Sequence, residues 1–294
     1  MSEFTADARR EMKRLRQEDG LSATRARQKV LSTAVDFDWR MLNFGTYTPS
    51  EKTIATLRSS QPPADEGLTA VVGRMDDGSP VTVTLGGDGP QHHVIEGQTG
   101  SGKSVLLAGL LESLAARYAV DDAAVIYGES KATADAIPGV VMARRDVVPP
   151  VLRELEEGRR VVLVVEDAQV LAAQCPQEIA RLVDVLVTSG GRLHLILADQ
   201  ARRNAESPAL GRLEQVMGDR GTGWVGLVPY SRGVAVQSSR RIDLQRVQLS
   251  EGKLPLLFDP KGELDARAFR VAASPARAWG PVPAPAPTAA LYGR

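Results

Sequence analysis

The sequence predicts an α/β fold in which a mostly parallel sheet carries helices on both faces. Three observations indicate this fold. Short apolar runs alternate with helical patterns over residues 69–200, as in proteins built from successive strands and helices. Two runs, RVVLVVED and RLHLILADQ, are almost continuously apolar, which is typical of strands buried on both faces. A glycine-rich turn joins the run HHVIE to a long apolar helix pattern.

The predicted elements follow in order along the chain. Strands are predicted at residues 69–75, 80–85, 92–96, 123–128, 139–143, 160–167 and 192–200. Helices are predicted at residues 103–118, 147–158 and 177–190. The helix at 147–158 has prolines near its start, where a helix tolerates them because the first N–H groups have no helical partner.

Four regions are expected along the 294 residues: a helical N-terminal region at 1–58, a linker at 59–67, one α/β domain at 68–273 and a disordered Pro/Ala-rich tail at 274–294. Residues 1–34 hold eight Lys/Arg against five acids. A pair of solvated helices explains this mild excess, and contact with DNA or a partner protein is the alternative.

The composition excludes several classes of protein. The formal net charge is zero, so any contact with nucleic acid has to come from a local basic patch. The single cysteine, Cys175, excludes a disulfide framework within the chain. No apolar run is long enough to span a membrane, and MSEFTADARR at the start contains no apolar signal segment. We therefore expect a cytoplasmic protein.

The stretch GQTGSGKS matches the phosphate-binding pattern G-x-x-x-x-G-K-[ST] in full. Its residues are Gly97, Gln98, Thr99, Gly100, Ser101, Gly102, Lys103 and Ser104. In this pattern the backbone N–H groups face the β-phosphate, Lys103 reaches the β- and γ-phosphates, and the Ser104 hydroxyl binds Mg²⁺. We call this stretch the P-loop, and it predicts a nucleoside triphosphate site.

A P-loop occurs in kinases, GTPases, motors and transporters alike, so a second acidic site is needed to narrow the function. VVLVVEDAQVL places Glu166 and Asp167 at the end of an apolar strand. One acid there can hold Mg²⁺ through water while the other orients or deprotonates the attacking water. Most P-loop motors have Asp before Glu. In the reversed order Glu166 reaches further toward the metal and Asp167 is one methylene short as a base, so slow chemistry is expected.

The run RLHLILADQ ends in Gln200. All strands of a parallel sheet end at the same edge, so Gln200 is expected near the γ-phosphate. Together, HHVIEGQTGSGKS, VIYGESKATADAIPGVV, VVLVVEDAQVL and GGRLHLILADQARRN resemble the FtsK/SpoIIIE branch of the FtsK–HerA ATPases over residues 69–272. The resemblance implies a RecA-like core, ATP and Mg²⁺ as cofactors, a homo-oligomeric ring that is a hexamer when active, and double-stranded DNA as cargo.

By position, the resemblance assigns the family's site to residues of this chain. The matching residues are Lys103 and Ser104, Glu166 and Asp167 in reversed order, Gln200, and Glu129 with Lys131 for the family's D-x-K. Two departures stand out: Asp199 replaces the usual Thr, and Ser189 replaces an arginine. Arg192, Arg202 and Arg203 remain open as arginine-finger candidates.

Three functions stay open on the sequence. The first is an ATP-driven translocase of double-stranded DNA, active in DNA transfer or a mobile element; eight arginines against four acids over residues 201–247 would suit phosphate contacts. The second is a secretion-type ATPase for protein cargo, with a loading partner on the N-terminal helices. The third is a nucleotide-binding assembly module with little hydrolysis, consistent with the reversed acidic pair.

Overall fold

The computed structural model describes residues 50–75, 77–98, 101–128, 137, 139–200, 207–228, 234–239, 241–242 and 266–272, together with residues 17 and 42–44. Several sequence predictions lie outside these residues. They are Thr99, Gly100, Glu129, Lys131, Arg202, Arg203, the tail at 274–294 and the N-terminal helices apart from residues 17 and 42–44.

Ten strands form one sheet in the order β2-β1-β10-β9-β8-β3-β7-β6-β4-β5. They are β1 (Leu68–Arg74), β2 (Pro80–Leu85), β3 (His92–Glu96), β4 (Ala123–Gly128), β5 (Val140–Ala143), β6 (Arg160–Glu166), β7 (Leu193–Asp199), β8 (Thr222–Leu227), β9 (Val234–Ser238) and β10 (Ala266–Val271). The strands from β8 to β5 pair in parallel, and those from β2 to β8 pair antiparallel. The predicted α/β fold with a mostly parallel sheet is confirmed.

Helices cover both faces of the sheet. Those with described bounds are α1 (Glu51–Ser59), α2 (Lys103–Arg117), α3 (Val148–Glu156), α4 (Ala168–Gln174), α5 (Pro176–Thr188) and α6 (Pro208–Asp219), with a 3₁₀ turn at Ala64–Glu66. The strands and helices predicted between residues 69 and 200 are all present within a few residues of the expected bounds. The helices α4 and α6 and the strands β8, β9 and β10 were not predicted.

The helix α2 follows the P-loop and lies in one hydrophobic core with residues from both parts of the sheet. Leu106, Leu110 and Leu114 of α2 are buried against this core, which also contains Leu68 of β1 and Phe269 of β10. The antiparallel strands therefore pack on the helix that follows the phosphate-binding turn. Burying such leucines contributes about 1.5–3 kcal/mol each, so α2 is firmly held.

Polar contacts fix α2 against its neighbours as well. The pairing of β1 with β2 is irregular between Val71 and Gly73, and the Val71 N–H donates to the Ser113 hydroxyl of α2 at 2.9 Å. At the end of α2, the Arg58 guanidinium donates to the carbonyls of Ala115 and Ala116 at 3.0 and 3.1 Å. A cation at this end also offsets the helix dipole.

The other face of the sheet carries α3, α4, α5 and α6 around a second core of aliphatic side chains. Glu178 of α5 accepts the Val148 N–H at 3.2 Å, and so satisfies one of the free donors at the start of α3. Within the part of the chain that the structure describes, no helix is both long and apolar enough to cross a membrane.

Candidate functional site

The P-loop begins directly after β3, and its geometry depends on two glycines. A Cβ on Gly97 would lie 2.4 Å from the Ser101 hydroxyl, so only glycine fits there. Gly102 precedes α2 with a φ of 101°, a conformation that side chains rarely adopt. The Gly97 N–H donates to the Asp199 carbonyl at 3.3 Å. The turn is therefore tied to the end of β7.

Lys103 and Ser101 show that this turn suits an anion. The Lys103 ammonium is buried and donates to the loop carbonyls of Gly97 at 2.7 Å and Gln98 at 3.4 Å. The Ser101 hydroxyl oxygen is also buried and has no hydrogen-bond partner among the described residues. A cationic donor and an unpaired hydroxyl beside the N-terminus of α2 fit the phosphates of a nucleotide.

Ser104 and Glu166 join the P-loop to the end of β6. The Ser104 hydroxyl donates to Oε1 of Glu166 at 2.8 Å. The Ser104 hydroxyl and the Glu166 carboxylate, which are the groups predicted to hold Mg²⁺, are therefore in direct contact. Both supply oxygen atoms, which are the ligands that Mg²⁺ prefers. Among the described residues there is no cluster of three or more His, Cys, Asp or Glu side chains placed to hold a metal ion.

Tyr127 holds the other oxygen of Glu166. The Tyr127 hydroxyl, at the end of β4, donates to Oε2 of Glu166. The tyrosine ring is buried, and β4 pairs directly with β6. Both oxygens of the Glu166 carboxylate are thus oriented by donors from neighbouring elements. Sequence reasoning missed Tyr127, because nothing in the run AAVIYG shows that its hydroxyl reaches an acid 39 residues away.

Asp167 lies at the start of α4 in an unusual conformation. Its φ of 52° is positive, which no other described residue except glycine shows. Its side chain is buried. For a residue other than glycine this conformation has an energetic cost, and such costs are often found at functional sites. The conformation turns the chain sharply after Glu166, so the two acids do not continue the alternation of β6.

Asp199 and Gln200 end the strand that lies between β3 and β6. The Asp199 carboxylate accepts the Gln169 N–H of α4 at 2.9 Å and the Gln200 N–H at 2.8 Å. Asp199 therefore caps α4 and orients Gln200. The Gln200 side chain is exposed at the edge where β3 and β6 also end. We call this edge, with the P-loop, the carboxyl edge.

Three of the arginines considered in the sequence have partners within the fold, namely the finger candidate Arg192 and, from the stretch 201–247, Arg220 and Arg241. Arg192 precedes β7 at the opposite edge of the sheet and donates to the Leu155 carbonyl at the end of α3, at 2.9 Å. This contact gives Arg192 a role in capping a helix. Arg220 donates to the Val187 carbonyl at 2.9 Å. Arg241 pairs with Glu96 at 2.8 Å. Arg212 is exposed.

A shallow, open depression lies beside Glu166 at the carboxyl edge. Gly128, Arg144, Arg145 and Gln174 contribute to its lining. Arg144 and Arg145 follow β5 and are both exposed. Sequence reasoning missed this arginine pair, since its position next to the acidic site depends on β5 pairing with β4. The pair gives the carboxyl edge a local positive charge.

The three histidines of the chain lie far from this site, at the edge where β3 and β7 begin. Burial lowers the pKa of His92 to about 3 and that of His194 to about 4, and it lowers the pKa of His93 as well. Each has one buried ring nitrogen with no hydrogen-bond partner among the described residues. They are neutral side chains of the core at neutral pH.

No protein-family model matches the sequence, and no curated protein matches it. Solved structures do resemble it. The cytoplasmic domain of the Thermomonospora curvata type VII secretion ATPase EccC is 16% identical, with a TM-score of 0.48, over 75% of this chain and 30% of that one. EssC (ATPases 2 and 3) from Geobacillus thermodenitrificans is 13% identical, with a TM-score of 0.45, over 86% of this chain and 50% of that one.

A third structure, the pCW3 conjugation coupling protein TcpA with ATPγS, is 12% identical, with a TM-score of 0.42, over 76% of this chain and 69% of that one. The chain thus spans about 30% and 50% of the first two proteins. At these identities and TM-scores the similarity is one of architecture, so the functional argument rests on the site itself. This chain is therefore similar to these solved proteins in its α/β architecture.

Proposed function

We propose that this chain binds ATP with Mg²⁺ at the P-loop and hydrolyses it to move double-stranded DNA. The contact of 2.8 Å between the Ser104 hydroxyl and the Glu166 carboxylate carries the proposal. It brings together two motifs 62 residues apart as a site for Mg²⁺ needs them. Bound Mg²⁺ would offset charge on the phosphates and polarise the bond to be broken.

Each residue of the site then has a role. Lys103 leaves the carbonyls of Gly97 and Gln98 and binds the β- and γ-phosphates. Ser104 and Glu166 would hold the metal. Asp167 accepts a proton from the attacking water, and Gln200 contacts the γ-phosphate side. General-base help of this kind contributes about 10²–10⁴-fold in rate.

Exposed arginines support an anionic cargo. Arg144 and Arg145 lie next to Glu166 on the carboxyl edge, and Arg212 is exposed on α6. Such side chains bind DNA phosphates without regard to sequence, and the binding weakens with salt. In this proposal several copies of the chain form a ring around the duplex, and a partner protein loads the ring through the N-terminal helices.

Two other functions remain open. A secretion-type ATPase would hydrolyse ATP in response to a protein partner and ignore DNA. A nucleotide-binding assembly module would bind ATP with little hydrolysis. One observation favours the assembly module. Asp167 is a short acid held in a strained turn, and this limits its reach as a base.

Steady-state ATP hydrolysis at low salt, with and without linear double-stranded DNA, tests the proposal. Lys103→Ala should abolish hydrolysis, while Lys52→Ala, which changes an exposed lysine of α1, should not. Arg144→Ala with Arg145→Ala should reduce the stimulation by DNA more than it reduces basal hydrolysis. Arg153→Ala, an exposed arginine on α3, is the matched control.

The outcomes separate the candidate functions. Stimulation by DNA that fades as salt is raised supports the DNA motor. ATP binding with hydrolysis near background under both conditions contradicts an autonomous motor and supports the assembly module. Hydrolysis that DNA does not change, but that a protein from the same cells increases, supports protein cargo.

A further inference from the structure

Glu96 is a buried carboxylate directly before the first glycine of the P-loop, and the proposed mechanism does not use it. It is the last residue of β3 and is 5% exposed. Its Oε2 accepts the Trp224 indole N–H at 3.1 Å and the Arg241 Nε–H at 2.8 Å. The two donors come from β8 and from the segment after β9.

The position of Glu96 is electrostatically unfavourable for a site that binds phosphates. A carboxylate that is removed from water is costly unless a charged partner and hydrogen bonds compensate it. The P-loop begins at the very next residue, so little solvent screens the charge of Glu96 from a bound triphosphate. Arg241 is the described residue that forms an ion pair with this carboxylate.

Packing holds Arg241 over Glu96. The next residue, Ile242, packs against a small core that contains Trp224 and Val236. Trp224 is itself buried, with 4% exposure, and its indole shares the carboxylate oxygen with Arg241. The Arg241 side chain is 53% exposed, so its charge is accessible to solvent while its Nε is fixed on Glu96.

We propose that Arg241 is a positioning residue for the P-loop: it neutralises Glu96 and fixes the end of β3, so that the loop can accept a triphosphate. The proposal rests on the proposed binding of ATP. The Gly97 carbonyl that follows Glu96 accepts the Lys103 ammonium at 2.7 Å. A shift of Glu96 therefore displaces the adjacent Gly97 carbonyl, which holds Lys103 until a nucleotide binds.

A charge effect and a purely structural effect predict different results. If Arg241 only stabilised the fold, removing Glu96 as well would not restore nucleotide binding. If Arg241 neutralises Glu96, the defect of Arg241→Ala comes from the uncompensated carboxylate. Glu96→Gln, which still accepts hydrogen bonds but carries no charge, should then correct it.

The experiment measures the affinity of the full chain for a fluorescent ATP analogue with Mg²⁺, at low and high salt. Arg241→Ala should weaken binding about tenfold at low salt, and most of the defect should persist at high salt because Glu96 is shielded from solvent. The double variant Glu96→Gln with Arg241→Ala should bind within about threefold of the wild-type protein. Arg241→Lys should retain part of the affinity, since lysine keeps the charge but not the Nε geometry.

Arg159→Ala serves as the matched control, because Arg159 pairs with Glu154 away from the nucleotide site. It should leave the affinity unchanged. Thermal unfolding without nucleotide shows whether each variant is folded. If Arg241→Ala does not fold, the other two variants decide the proposal. Arg241→Lys still neutralises Glu96, and the double variant has no charge at position 96.

Equal affinity of Arg241→Ala and the wild-type protein would overturn the inference and leave the proposed function intact. A defect that the double variant retains in full would also overturn it. If the wild-type protein binds the analogue no better than Lys103→Ala, the proposed function fails, and the inference fails with it.

Discussion

The hydroxyl of Ser104 lies 2.8 Å from Oε1 of Glu166, so the last residue of the P-loop and the last residue of β6 are in direct contact. The strand β7 separates β3 from β6 in the sheet, yet the side chains close this gap. A divalent cation bound here would meet oxygen ligands from both motifs.

Ser104→Ala should therefore weaken the binding of ATP in the presence of Mg²⁺ by about tenfold, because one oxygen ligand is lost. Ser104→Thr, which keeps the hydroxyl, should bind nearly as the wild-type protein does. Titration of a fluorescent ATP analogue with Mg²⁺ and then with EDTA measures both effects. If ATP binding by Ser104→Ala depends on Mg²⁺ as it does in the wild-type protein, Ser104 is not a ligand of the metal.

Tyr127→Phe should lower the rate of ATP hydrolysis by about three- to tenfold with the KM for ATP unchanged, because it removes one of two donors that orient Glu166. The lost hydrogen bond should also lower the free energy of unfolding by about 1 kcal/mol. Steady-state kinetics and urea unfolding measure the two effects.

Tyr118→Phe is the control for this change. The Tyr118 hydroxyl accepts the Thr69 N–H at 2.9 Å, away from the site. Tyr118→Phe should lower the free energy of unfolding by a similar amount, about 1 kcal/mol, and leave the hydrolysis rate unaffected. Equal rate losses in both variants would show that the effect of Tyr127→Phe is structural.

Asp167→Asn should reduce the hydrolysis rate by about 100-fold while ATP still binds, because asparagine tolerates the positive φ but cannot accept a proton from water. Single-turnover hydrolysis and ATP titration separate the two effects. Hydrolysis by Asp167→Asn at the wild-type rate would exclude Asp167 as the base.

Asp167→Glu tests whether the short side chain limits the rate. A glutamate reaches one methylene further, so hydrolysis should become faster. Its positive φ of 52° is less suited to glutamate, so the free energy of unfolding should fall by about 1 kcal/mol. A slower variant with unchanged ATP affinity would show that the length of Asp167 suits its position.

Acid should destabilise the protein through its buried histidines. The pKa of His92 is about 3 and that of His194 about 4, chiefly because burial disfavours the charged form. Below the ordinary pKa of 6.5 the unfolded chain takes up protons that the folded chain cannot. Stability is therefore complete above pH 6.5 and falls as the pH drops, by about 1.4 kcal/mol per pH unit for each histidine.

Urea unfolding between pH 7 and pH 5 measures this slope. The positive charge of Arg220 also lowers the pKa of His92. The positive charge of Arg160 also lowers the pKa of His194. His194→Gln, which keeps a hydrogen-bonding group but does not titrate, should give a shallower slope. Identical slopes for this variant and the wild-type protein would show that His194 does not contribute.

The core of the fold could be predicted from the sequence because its signals are local. Strand β6 is a continuous apolar run, and the P-loop is a contiguous pattern between a strand and a helix. The strands β8, β9 and β10 were missed for a different reason. The run TGWVGL of β8 contains two glycines, and β10 pairs with strands that are distant in sequence. No local pattern encodes such pairings.

The residues of the site also fall into those that belong to local motifs and those whose roles depend on contacts distant in sequence. Lys103, Ser104, Glu166 and Asp167 belong to recognisable motifs, and their types follow from the chemistry of phosphates and Mg²⁺. The contact of Glu96 with Arg241 joins residues 145 apart, and a sequence gives no sign of it. Asp199 was identified only as an unusual residue, because its role depends on the N–H groups of α4.

The placement of β10 has a consequence for how the protein is made. Among the described strands, β10 alone links the β1–β2 pair to the rest of the sheet by lying between β1 and β9. One edge of β1 therefore stays unpaired until β10 has been made. A nascent chain that has not yet reached Ala266 exposes two open strand edges, which are sites for aggregation. Because such long-range pairings form slowly, the newly made chain is expected to remain prone to aggregation until β10 has paired with β1 and β9.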